Sequence, residues 1–168
     1  MELTKTILNR DSLIKLSQFS LFLVVMVFAP LIGNQLITGS IVNAMLLIST
    51  MTLGLSSALL LSFLPSIISL FVGTLPVVLF PMIPFIVLGN MIFVYLFSKL
   101  MEKNYWLGAV SGSLLKFALL FISSNLIIQF FIKQTVASKI AVMMSWPQLI
   151  TALIGSAIAF TIYKVIKR

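Results

Sequence analysis

With 168 residues, 61% of them hydrophobic and only 8% charged, and a mean hydropathy of +1.22, the chain is far from a soluble domain, in which about a quarter of residues are charged. It predicts an all-α integral membrane protein: a single bundle of about six transmembrane helices with almost no domain outside the bilayer. The absence of cysteine and histidine excludes disulfides, imidazole-held haem and the zinc sites that need either residue, so neither a metal nor a cofactor is expected. The net charge of +8 does not point to nucleic acid, because the basic residues sit at span ends rather than in one patch.

A helix needs about 20 residues to cross roughly 30 Å of hydrocarbon. The N-terminus "MELTKTILNRDSLIKLSQFS" carries charges ahead of an apolar run, as a signal peptide does, but no small-residue cleavage site follows, so it is read as part of a retained first span, 13–32. The second segment, 39–54, is short and meets the third, 56–73, at the uncharged "TLGLSS", which also allows a re-entrant hairpin. Pro65 is expected to bend the third. The fourth, 78–100, contains Pro81 and Pro84, which suggest an irregular start before a clean helix from about Phe85. The fifth covers 106–132 and is followed by the polar connector "KQTVASK". The sixth, 145–165, opens on "SWPQ", where Ser145 suits a cap and Pro147 a first turn.

Charge asymmetry supports this count. With six spans, both termini and the "KLMEKNY" loop share a side that collects eight of the eleven basic residues, and this side is expected to be cytoplasmic. Glu2, Asp11 and Glu102 lie there too, leaving no carboxylate within a span to carry a proton.

Lys116 stands alone among apolar residues in "GSLLKFALLF". Ten residues past Trp106, it lies about 15 Å along the helix, near the midplane. A charge there costs between about 2.5 and more than 10 kcal/mol, so it should face the bundle interior or a wet cavity. It either anchors an anionic substrate group or bonds to carbonyls and neighbouring Ser and Asn side chains. Asn125 and Gln129, four apart, share a helix face, but Lys116 falls on the far side of an ideal helix from Asn125. Asn43 and Asn90 read as interhelical hydrogen-bonding groups, worth about 0.6–2 kcal/mol each. Trp146 and Gln148 could bind a ligand or anchor the interface, whereas Trp106 beside Tyr105 reads as an interfacial anchor. Gly108, Ser111, Gly112, Gly155 and Ala159 are small enough to bring spans into close contact.

Taken together, "TGSIVNAMLLISTMTLG", "FPMIPFIVLGNMIFVYLF" with its Gly89-Asn90 pair, and "SWPQLITALIGSAIA" give a chain that resembles the substrate-binding (S) components of bacterial energy-coupling-factor vitamin transporters. The resemblance implies a multi-pass protein of the cell membrane. Such a protein captures a vitamin-like molecule from outside and topples in the bilayer to release it, with ATP hydrolysed by two cytosolic ATPases through a membrane coupling subunit. The chain has no GxxxxGK[ST] phosphate loop of its own and is not expected to be an enzyme. By position, the resemblance makes Asn125, Gln129, Trp146 and Gln148 substrate-binding candidates, with Asn90 and Lys116 deeper. Many S components dock through an Ala-xxx-Ala pair in the first helix. Here that helix reads "LFLVVMVFAPLIG", and Ser40-xxx-Ala44 is the substitute small-residue contact.

Two other classes fit the composition. One is a non-transporting subunit or assembly factor of a membrane complex, whose polar groups would bond to one another and leave no cavity. The other, ranked below binding, is an intramembrane enzyme built on Ser113 and Lys116, three apart on one helix.

Overall fold

The computed structural model describes residues 10–131 and 140–166, except for the side chains of 78, 128–131 and 166. Six helices are long and apolar enough to cross a membrane, and no strand occurs among the described residues. They are α1 (Arg10–Phe28), α2 (Gln35–Leu53), α3 (Leu55–Val72), α4 (Ile83–Leu100), α5 (Tyr105–Phe131) and α6 (Trp146–Ile166). The chain is a multi-pass helical membrane protein.

Punctuation residues set the boundaries. Asn34 caps α2, its side-chain oxygen accepting from the amides of Leu36 and Ile37 at 3.0 and 3.2 Å. Asn104 does the same for α5 with Trp106 and Leu107 at 2.8 and 3.1 Å. Gly54 (φ 87°) separates α2 from α3, so this stretch is two separate helices of 19 and 18 residues rather than one hairpin of half-spans. The irregular start expected before α4 is a 3₁₀ segment, Val77–Met82. Ser145 precedes α6 but does not cap it. Its hydroxyl donates to the Val142 carbonyl at 2.7 Å, because residues 140–143 are already helical and offer that acceptor one turn back. The connector at 133–139 lies outside the described residues.

Gly73 ends α3 in the left-handed region (φ 78°), its amide donating to the Leu70 carbonyl. A Cβ there would meet nothing within 4 Å, so Gly73→Ala is charged only for backbone strain. A loss of about 1–2 kcal/mol is expected in reversible unfolding of the detergent-solubilised protein.

Two close helix pairs organise the bundle, α2 with α6 and α4 with α5. Small residues make both possible. A Cβ on Gly155 of α6 would lie 2.7–2.8 Å from Asn43 Cβ, Ala44 N and Ser40 O of α2, and one on Gly112 of α5 would lie 3.0 Å from the Phe93 carbonyl of α4. Leu46, Leu47, Leu61, Phe93, Val94 and Phe97 form the centre of the main core. Large apolar side chains also point outward all round, up to Phe71 at 84% exposed. That is an aggregation liability in water and the expected outer face of a bundle in lipid.

The ends of the bundle differ. Arg10, Lys15, Lys99, Lys103 and Lys164 all belong to the end where α1 begins and α4 and α6 finish. There Tyr105 packs edge-on against Phe97 (centroids 5.1 Å apart) and tilted against Phe160 (4.8 Å), while its hydroxyl donates to the Ser156 carbonyl at 2.7 Å. Lys164 lies 4.5 Å above the Phe160 ring. This end is closed by aromatic packing.

Candidate binding cavity

The opposite end holds a cavity of about 350 Å³, within the roughly 300–1,000 Å³ of small-molecule sites. Gly33, Asn34 and Pro76 at its mouth are exposed, while Asn43, Asn90 and Lys116 at its floor are 1%, 4% and 3% exposed. Its walls are mostly apolar, with Met26, Leu61, Leu79, Ile86, Met143 and Met144 among them.

Several local features build the floor. Lys116 leaves the middle of α5 towards α4 at Gly89, where a Cβ would stand only 3.3 Å from Lys116 Cγ. The missing side chain gives the lysine stem its passage. The ammonium then donates to Asn43 Oδ1 of α2 at 2.5 Å and lies 5.5 Å from the centroid of the Phe93 ring. Asn43 Nδ2 donates to Thr151 Oγ1 at 3.4 Å, and Thr151 donates on to the Gln148 carbonyl at 3.1 Å. Higher up, the Gln35 and Gln148 side-chain amides both donate to the Met143 carbonyl, at 2.6 and 3.0 Å. One polar path thus runs from the deepest lysine to the mouth, tying α5, α2 and α6 together.

Asn90 is different. It is buried and lines the cavity, yet its Oδ1 has no hydrogen-bond partner among the described residues. A buried acceptor left in this state costs about 1–3 kcal/mol.

Of the sequence candidates, Asn90, Lys116 and Gln148 come together around this cavity. Asn125 does not. It is exposed, and its amide donates to the Phe121 carbonyl of its own helix at 2.8 Å, in keeping with its separation from Lys116 around α5. Trp146 is 58% exposed and is not part of the lining. Gln129 belongs to α5 by its backbone, and its side chain lies outside the described residues. Ser40 and Ala44, expected to offer a docking contact, are instead buried under α6 at Gly155, so the small-residue surface they make is already filled within the chain. Ser113 donates its hydroxyl to the Ala109 carbonyl at 2.7 Å and makes no hydrogen bond to Lys116 among the described residues.

The lining also includes Asn34, Gln35, Thr38, Asn43 and Thr151, which single-residue reasoning passed over or, for Asn43, assigned to helix contact alone. A signal was present: Gln35, Gly39 and Asn43 recur every four residues on α2, and Gln148, Thr151 and Gly155 at helical spacing on α6. Each is a small-and-polar stripe on an apolar helix. Comparison with family models, with curated proteins and with solved structures returns no match to this chain.

Proposed function

We propose that the chain captures a small, vitamin-like molecule in the membrane as the substrate-binding component of an energy-coupling-factor importer. The cavity carries this reading: an apolar chamber with a few convergent polar groups, open at one end of a six-helix bundle and closed at the other. The basic residues gathered at the closed end support a cytoplasmic placement of that end, with the mouth facing outside. The coupling subunit and the two ATPases come from the sequence resemblance. With Ser40 and Ala44 covered by α6, docking falls to the outward faces of the first three helices.

A second reading, a non-transporting subunit of a larger membrane complex, draws on the Lys116–Asn43–Thr151 network, since polar groups that satisfy one another also serve purely to join helices.

Thermal unfolding of the purified protein against a panel of vitamins and their precursors separates the two. A true ligand at a hundredfold excess over its dissociation constant adds about 2.7 kcal/mol of apparent stability. That gain should vanish in Lys116→Met and persist in Trp146→Ala, whose side chain lies outside the cavity. A panel in which nothing stabilises the wild type favours the complex-subunit reading.

A further inference from the structure

The unspent hydrogen-bonding capacity of the cavity floor defines a chemical class of ligand, an inference that rests on the capture reading above. An ammonium has three N–H donors. Among the described residues Lys116 gives one to Asn43 Oδ1, and the Phe93 ring occupies another side. No Asp or Glu among the described residues lines the cavity, so the lysine has no counter-ion within it and a cationic ligand would meet no carboxylate there. The floor therefore presents spare donors from a cation that has no acid to receive them among the described residues. A multiply charged phosphate would need more than this single cation, whereas a carboxylate matches it. Above the floor the walls are thioether and aliphatic, with Met26, Met143 and Met144 able to shape themselves around a ring or chain.

We infer that the cavity takes a monocarboxylate with an otherwise apolar body, seated acid-first. The carboxylate accepts from Lys116.

The test uses the full chain in lipid nanodiscs, with empty nanodiscs as blank, and four probes: 3-phenyllactate, 3-phenylpropionate and the methyl ester of each. Apparent affinities are read from ligand-dependent stabilisation. On the wild type, each acid should bind about thirtyfold tighter than its ester. Lys116→Met should bring acid and ester within twofold of each other, because the acid loses far more than the ester does. Esters that match the acids on the wild-type protein overturn the carboxylate assignment without the need for any variant. So does failure of all four probes at millimolar concentration. A neutral or cationic vitamin that stabilises the wild type in the earlier panel would then sink the carboxylate assignment alone, leaving capture in place.

Discussion

Asn43→Leu is expected to destabilise the bundle by about 3 kcal/mol or more, the largest effect of any single polar-to-apolar change in the interior. The substitution removes the only side-chain oxygen among the described residues that accepts from Lys116 and strands an ammonium that is 3% exposed. Losing one partner of a buried charged interaction costs about 3–5 kcal/mol, while replacing both with apolar residues of similar volume is often close to neutral. Lys116→Met combined with Asn43→Leu should therefore recover most of the loss. A reversible unfolding cycle on the two single variants and the double should give a coupling of at least about 2 kcal/mol. Additive losses would show that the 2.5 Å contact contributes nothing specific.

Gly155→Ala should cost about 2 kcal/mol, against the direction that helix propensity alone would give. Propensity favours alanine over glycine by about 1 kcal/mol in a helix interior. Here the added methyl would stand 2.7–2.8 Å from the backbone atoms Ala44 N and Ser40 O and from Asn43 Cβ. None of these can rotate away, so α6 must move back from α2, an overpacking penalty of about 3 kcal/mol. Because Thr151 lies one turn from Gly155 and bonds Asn43 across the same interface, the shift should also reach the cavity. Ligand-dependent stabilisation should weaken together with the fold. A variant as stable as the wild type would mean that the two helices are not held at this separation.

Hydrophobic length alone made the spans legible, along with the break at Gly54 and the irregular lead into α4 at Pro81 and Pro84. The interior placement of Lys116 was legible too, because the cost of exposing an ammonium to lipid leaves few other positions. Pairing between helices was not. Asn43 and Thr151 meet although they are 108 residues apart, and periodicity tells which residues share a face of one helix, never which helix that face meets. Trp146 shows the same limit. A large ring at the start of a span suits a ligand and a lipid interface equally, and its outward direction depends on how α6 is rotated against α2. The separation of Asn125 from Lys116 was legible, since nine residues of an ideal helix set the two on different sides of α5.

The aromatic closure around Tyr105 makes the bundle a cup rather than a tube. A molecule that enters at the mouth reaches Lys116 and then meets Phe93, Phe97, Tyr105 and Phe160, with the Tyr105 hydroxyl tied to α6. Continuing straight through would mean prising apart α4, α5 and α6 where they are packed on one another, whereas going back needs no bond in this plug to break. Under the capture reading, the toppling that the sequence resemblance implies would carry the contents to the far side with this plug left intact.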